Sequence, residues 1–110
     1  MKVKFFLLSS GRSPVEEFLR EQSEEIRSNF VDATALLVSG QTLSMPLARH
    51  LSGIYPGIYE LRMKDRNGQI RIFYFIKKGE AIYMLHAMRK KTREIPKRDI
   101  ELVLKRIKEV

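Results

Sequence analysis

Residues 57–93, GIYELRMKDRNGQIRIFYFIKKGEAIYMLHAMRKKTR, contain three runs with strand periodicity, separated by two turn signals. In the first run, residues 58–64, side chains alternate in character, as in a half-buried strand. Asn67-Gly68 is a strong hairpin signal and predicts a return strand over residues 70–76. Lys77-Lys78-Gly79-Glu80 predicts a second turn into a third strand over residues 81–88. The stretch therefore predicts an antiparallel meander of three strands.

The alternation also assigns side chains to faces of this meander, because successive residues of a strand point to opposite sides. In the first strand, one face holds Tyr59, Leu61 and Met63, and the other Ile58, Glu60, Arg62 and Lys64. In the second, one face holds Ile70, Ile72, Tyr74 and Ile76, and the other Arg71, Phe73 and Phe75. In the third, one face holds Ile82, Met84, His86 and Met88, and the other Ala81, Tyr83, Leu85 and Ala87.

Before the meander, the sequence predicts one strand and two helices. Residues 2–8, KVKFFLL, predict a strand covered on both sides. Ser13 followed by Pro14 predicts the start of a short helix that ends near Glu21. A longer helix is predicted to begin after Ser23, and Gly40 is predicted to terminate it. Residues 41–56 contain two prolines and no sustained period, so they predict a connecting loop.

After the meander, Pro96 is predicted to open a final helix with an apolar stripe formed by Ile100, Val103, Leu104 and Ile107. The predicted order is therefore β-α-α-β-β-β-α. This order favours a single α+β domain over residues 1–110, with a small twisted, mostly antiparallel sheet and the helices packed on one face. The other face would be free for a ligand.

Composition excludes several classes of protein. The chain has 110 residues, of which 44% are apolar, so it is long enough to bury a core. It has no cysteine, which excludes disulfides, cysteine-ligated zinc and thiol nucleophiles. No metal-ligand cluster is visible, and we expect no structural metal. No apolar run approaches the roughly 20 residues of a membrane span, and residues 1–8 do not resemble a signal peptide. We expect a cytoplasmic protein without membrane attachment.

Positive charge is concentrated in the second part of the chain. The net charge is +8; residues 1–40 carry five basic and six acidic residues, so the remaining 70 residues carry sixteen basic and seven acidic residues. This asymmetry favours a polyanionic partner, nucleic acid before membrane. The alternative is a basic surface that serves only solubility.

Arg62 and Arg71 are the first candidates for a site, because side chains on adjacent antiparallel strands come close across one face. Two such arginines repel each other unless an anion lies between them, and phosphate oxygens accept the guanidinium fork bidentately. The alternative is that Arg62 pairs with Glu60 or another acid.

His86 is a second candidate, as the proton donor or acceptor, because imidazole titrates near neutrality. The cations that follow it should lower its pKa. The alternative is a structural histidine. The remaining candidates for RNA contact are Arg49, Tyr74, Arg89, Lys90, Lys91 and Arg93. Tyr74 would stack on a base, although tyrosines in strands more often pack in the core.

The segments YELR (residues 59–62), IRIFY (70–74) and LHAMRKKT (85–92), with the P-x-x-x-I start of the last helix, resemble the RelE/HigB-type toxins of bacterial toxin–antitoxin systems. The resemblance is to the phage-derived HigB-like branch and covers residues 45–108 closely. Met88 stands where the family commonly has phenylalanine, and Arg89 stands at a variable position.

The resemblance implies a RelE-like fold and a messenger-RNA endoribonuclease that acts on the translating ribosome. It implies cleavage by the RNA's own 2′-hydroxyl, without metal or other cofactor, and control by a cognate antitoxin, usually with a helix-turn-helix domain. It also implies that Arg62 and Arg71 contact the scissile phosphate. Two other readings stay open: a non-catalytic module that binds RNA or the ribosome, and a phage-derived protein whose basic part binds an acidic partner.

Overall fold

The computed structural model describes residues 1–110 as three helices and one five-stranded mixed sheet. The elements are β1 (Lys2–Phe5), α1 (Pro14–Arg20), α2 (Glu24–Val38), β2 (Ala48–His50), β3 (Ile58–Asp65), β4 (Gly68–Lys77), β5 (Ala81–Arg89) and α3 (Lys97–Ile107). These elements confirm the predicted α+β class. None of the helices combines the length and the apolar composition that a membrane span requires.

The predicted helix signals act as expected at α1 and α2. Ser13 accepts a hydrogen bond from the backbone N–H of Glu16 at 3.3 Å, and Ser23 accepts one from the N–H of Ile26 at 3.2 Å. Each bond satisfies an N–H group that the first turn of a helix leaves unpaired. Gly40 follows α2 with φ of 93°, a conformation that favours glycine and ends the helix.

The strand order is β1-β5-β4-β3-β2, with the predicted meander β3-β4-β5 in the centre. The edge strand β1 runs parallel to β5, and the other neighbours are antiparallel. β1 ends at Phe5, and the prediction that it is covered on both sides is wrong. Val3 and Phe5 pack against the core, whereas Lys2 and Lys4 are exposed. The strand consists of the four alternating residues, and the apolar residues that follow Phe5 lie outside it.

The helices lie on both faces of the sheet, which corrects the prediction that all of them pack on one face. One core joins α1 and α2 to the side chains of Leu61, Met63, Ile70, Ile72 and Tyr74. A second core joins Val103 and Ile107 of α3 to the opposite face, at Ile58, Phe73 and Leu85. Both the stripe of α3 and this second face are apolar, so burying them together removes both from water. We call the face under α3 the α3 face.

A β-bulge in β5 changes which side chains share a face. Phe73 pairs with His86, but Tyr74 pairs with Met84, so Leu85 is an extra residue in β5. His86 consequently stacks on Phe73, on the α3 face. The prediction that His86 shares a face with Met84 is therefore wrong, because strict alternation along β5 stops at the bulge.

The predicted loop over residues 41–56 contains the short edge strand β2. Its three residues pair with β3, and Arg49 lies opposite Glu60. Three residues are too few to show a period of two in the sequence, which is why the strand was not predicted. The strand places Arg49 on the same face as Glu60 and Arg62.

Leu61→Ala is expected to lower the free energy of unfolding by about 2–5 kcal/mol. Leu61 is fully buried in the core under α1 and α2, so truncation removes apolar contacts and leaves a cavity. Urea denaturation measures the change. Lys64→Ala, at an exposed position of the same strand, is the control and should stay within about 0.5 kcal/mol of wild type. A loss at Leu61 no larger than at Lys64 would contradict the assignment of faces.

Candidate functional site

Arg62 and Arg71 lie directly opposite each other on β3 and β4, and their side chains gather around the carboxylate of Glu60. The Nε atom of Arg71 lies 2.8 Å from Glu60 Oε2. The Nε atoms of Arg49 and Arg62 lie 3.6 Å and 3.9 Å from Glu60 Oε1. We call these four residues the arginine–glutamate cluster. The shared carboxylate offsets the repulsion among three guanidinium groups on one face of the sheet.

Arg71 occupies the inside of this cluster, where its side chain is 3% exposed beside a Glu60 side chain that is 2% exposed. Its N–H groups donate to the backbone carbonyls of Thr92 at 3.1 Å, Arg93 at 2.8 Å and Glu94 at 3.4 Å. Its Nε lies close to Glu60 without a good hydrogen-bond angle, so that contact is chiefly an ion pair. Arg71 thus fastens residues 90–96, which we call the basic loop, to the sheet.

This position corrects the predicted role of Arg71 as a direct phosphate ligand. Its guanidinium is covered and its N–H donors already have protein partners. A phosphate could reach it only by displacing the basic loop. Arg71 therefore acts on the placement of neighbouring groups.

Arg49 and Arg62 are the members of the cluster that reach solvent, with side chains 47% and 31% exposed. Their Nε atoms lie near Glu60, and Nη1 of Arg62 lies 3.5 Å from the sulfur of Met45. Neither guanidinium is enclosed as that of Arg71 is. Both can therefore offer N–H donors to a phosphate oxygen while their stems stay anchored.

Lys90 stands at the start of the basic loop, half-buried beside the cluster. Its pKa is lowered from the ordinary lysine value, first by removal of its ammonium group from water and then by the charges of Arg62 and Arg71. Glu60 opposes the shift. A lysine in such surroundings gives up a proton more readily than a solvated lysine does, which is a useful property for a proton donor.

The basic loop and β2 face each other across a cleft of about 540 Å³. Arg49 and His50 line one side of it, and Arg93 and Ile95 line the other. Lys91 and Arg93 are exposed. Of the predicted RNA-contacting residues, Arg49, Lys90 and Arg93 therefore lie beside the cluster or its adjoining cleft, and Lys91 lies in the loop between them.

His86 has a structural environment. Its Nε2 lies 2.7 Å from Oδ1 of Asp99 at the start of α3, its ring stacks on Phe73, and its side chain is only 14% exposed. Its pKa is lowered, as predicted, but burial is the main cause and Asp99 opposes it. A proton shuttle needs access to substrate, which α3 restricts here. The structure therefore supports a role in seating α3 rather than the predicted catalytic one.

Two further predicted contacts lie outside this site. Tyr74 is fully buried on the face covered by α1 and α2, where no base can reach its ring, and its hydroxyl has no hydrogen-bond partner. Burial and the neighbouring Tyr59 raise its pKa. Arg89 donates to Oε1 of Gln22 at 2.6 Å and to the carbonyl of Asn67 at 3.2 Å, so it joins the turn before α2 to the β3–β4 hairpin.

Sequence reasoning missed the two acids that organise these groups. One is Glu60, the single acid on the face of β3 and β4 that carries Arg62 and Arg71; a lone acid between two arginines indicates an ion pair. The second acid is Asp99. Its position three residues after Pro96, in the first turn of α3, favours a carboxylate there and could have suggested a structural partner.

The cluster with Lys90 places four positive charges around one carboxylate, so its net charge is +3. Such a surface suits a phosphodiester, whose oxygens accept hydrogen bonds from several cations at once. Nowhere in the chain do three or more histidines and acids come close enough to hold a metal ion.

The family model described as phage-derived protein Gp49-like (DUF891) matches residues 17–108 of the sequence. The chain belongs to the Gp49-like family. The match confirms the predicted resemblance to a phage-derived, HigB-like toxin family. It includes the whole meander, the basic loop and all of α3, and therefore every residue of the arginine–glutamate cluster. No curated protein matches the sequence.

Within this Gp49-like chain, the matched region also contains β2 and α2. The family match thus covers the elements that carry Arg49, Arg62 and Lys90, and every residue of the second core except Phe6. The match identifies the family, whereas the chemistry of the site has to be argued from its side chains.

Proposed function

We propose that this Gp49-like protein is the toxin of a toxin–antitoxin system and cleaves messenger RNA on the ribosome. A cognate antitoxin, with a helix-turn-helix domain of its own, would hold it inactive. The proposal joins the HigB-like family assignment to the net charge of the cluster and its neighbouring cleft. The observation that carries it is the convergence of Arg49, Arg62 and Lys90 at one open position.

In the proposed reaction, the 2′-oxygen of the RNA attacks the adjacent phosphorus, a 2′,3′-cyclic phosphate forms, and the 5′-oxygen leaves. Arg49 and Arg62 bind the phosphate oxygens and stabilise the additional negative charge of the transition state. Lys90 donates its proton to the departing 5′-oxygen, and the proton of the 2′-hydroxyl passes to water. Arg71 holds the basic loop so that Lys90 stays in line with the two arginines.

Induced expression in bacteria tests this proposal. Wild-type protein is expected to arrest growth and to produce new 5′ ends in cellular messages, whereas Arg62→Ala should relieve the arrest with little loss of stability. Arg62 is partly exposed and pairs only at 3.9 Å with Glu60, so its truncation leaves Arg71 to neutralise that carboxylate.

The control is Lys105→Ala, at an exposed position in the last turn of α3, which should leave the arrest unchanged. Growth without arrest and intact messages after expression of the wild-type chain would rule out the toxin proposal. Equal toxicity of the wild-type protein and Arg62→Ala would show that the arginine–glutamate cluster is not the site of the proposed reaction.

A non-catalytic RNA-binding or ribosome-binding module is a second candidate. One observation favours it: the acids and histidines near the cluster do not present a free general base. Glu60 is enclosed by arginines, and His86 is enclosed by Asp99 and α3. Such a module would bind ribosomes and slow growth without producing new 5′ ends, so mapping of 5′ ends separates the two functions.

A further inference from the structure

Three aromatic rings form a stack across the sheet at its β2 edge. His50, Tyr59 and Tyr74 are successive cross-strand partners on β2, β3 and β4. The ring centroids of His50 and Tyr59 lie 4.4 Å apart with planes 13° from parallel, and those of Tyr59 and Tyr74 lie 5.2 Å apart at 8°. We call this arrangement the ring ladder. Its spacing is that of offset-stacked aromatic pairs.

The ring ladder is fixed at its inner end and open at its outer end. Tyr74 is fully buried in the core under α1 and α2, and Tyr59 is half-buried. His50 is exposed on the edge strand, and no strand follows β2 in the sheet. Tyr59 covers one side of the imidazole, and Nε2 accepts a 3.4 Å hydrogen bond from the backbone N–H of Gly57. The exposed ring is thus held in place before any ligand arrives, so binding would cost little ordering.

Cationic side chains flank this open ring on two sides. On one side is the 540 Å³ cleft that His50 shares with Arg49 and Arg93. On the other is a cleft of about 450 Å³ that it shares with Lys77 and Lys78. A held aromatic platform between positive charges is the arrangement by which proteins bind single-stranded nucleic acid, with bases on the rings and phosphates on the cations.

We propose that His50 extends the ring ladder onto a nucleobase of single-stranded RNA, next to the phosphate held by Arg49 and Arg62. The proposal rests on the proposed function, because it assigns a base subsite to the same RNA. Arg49 and His50 are consecutive residues that point to opposite faces of β2. The RNA strand would therefore pass around the sheet edge, with a phosphate on the α3 face and a base on the ladder.

The test compares two uncleavable probes by fluorescence anisotropy at about 50 mM salt, where phosphate contacts are strong. One is a 2′-O-methyl oligoadenylate of roughly 12 nucleotides, and the other has the same backbone with abasic residues. The wild type is expected to bind the adenylate about tenfold more tightly than the abasic chain. His50→Ala should lose most of this preference with unchanged affinity for the abasic chain, and His50→Phe should retain it.

Tyr55→Ala is the matched control, since Tyr55 is an exposed aromatic residue that packs edge-on against Phe75 and lies outside the ladder. It should leave both affinities unchanged. Equal affinity of wild type and His50→Ala for the adenylate would overturn the base subsite and leave the proposed function standing. An equal loss for both probes in a folded His50→Ala protein would also overturn it. Failure of the wild type to bind either probe would overturn the subsite and RNA binding together.

Discussion

Lys90→Ala is expected to lower the rate of RNA cleavage by about 10²–10⁴-fold, the range that a positioned general acid contributes. Lys90 is a half-buried residue near Arg62 and Arg71, and partial loss of solvation together with the charges of these two arginines lowers its pKa. It can therefore release a proton to the departing 5′-oxygen more easily than a solvated lysine can. The variant should keep its stability, because Lys90 forms no ion pair within 4 Å in the structure.

The dependence of the cleavage rate on pH tests proton donation separately from charge. The protonated form is the active one, so the rate should fall as pH rises through the lowered pKa of Lys90, below the ordinary value of 10.5. Lys90→Arg keeps the positive charge but holds its proton at every accessible pH. It should therefore bind RNA as the wild type does but cleave slowly. Its cleavage rate should no longer fall as pH rises through this range.

Lys105→Ala, on the exposed surface of α3, is again the control for a lost surface charge. The two measurements are single-turnover cleavage on programmed ribosomes and binding to the same ribosomes. A Lys90→Arg protein with the wild-type rate would show that Lys90 serves only as a charge. A Lys90→Ala protein with the wild-type cleavage rate would show that Lys90 takes no part in the reaction.

The fold could be predicted from the sequence wherever a local signal is strong. The Asn67-Gly68 turn, the cap residues Ser13 and Ser23, and the alternation in β3 and β4 all appear in the structure as expected. What could not be predicted depends on contacts between distant segments. The path of the basic loop determines which side of the sheet α3 covers. The apolar pattern of α3 shows that the helix packs on the sheet, but not on which side.

The candidate site likewise has some features that could be predicted from the sequence and others that could not. Register alone places Arg62 opposite Arg71, and this pairing could be predicted from the hairpin. The bulge at Leu85 could not, and it moves His86 onto the α3 face, where Asp99 meets it. Burial also could not be read from residue type. Arg62 and Arg71 are alike in sequence terms, but one reaches solvent and the other lies under the basic loop.

Arg71→Ala is expected to lower the free energy of unfolding by about 3–5 kcal/mol, because it leaves Glu60 without its closest buried partner. That loss is a large fraction of the roughly 5–15 kcal/mol that stabilises an ordinary domain. The carbonyls of Thr92 and Arg93 lose their donors as well. Urea denaturation should show the loss, and an unfolding free energy within about 0.5 kcal/mol of wild type would contradict the buried ion pair.

A double variant, Glu60→Gln with Arg71→Met, separates stability from positioning. Removing both charges avoids an unpaired carboxylate, so the double variant should be markedly more stable than Arg71→Ala. It still lacks the guanidinium that fastens the basic loop, so Lys90 would no longer be held beside Arg62, and cleavage should remain low. A stable double variant that cleaves RNA at the wild-type rate would show that Arg71 serves only the stability of the sheet. Low cleavage in a stable protein would instead show that the buried arginine governs the chemistry through the loop it holds.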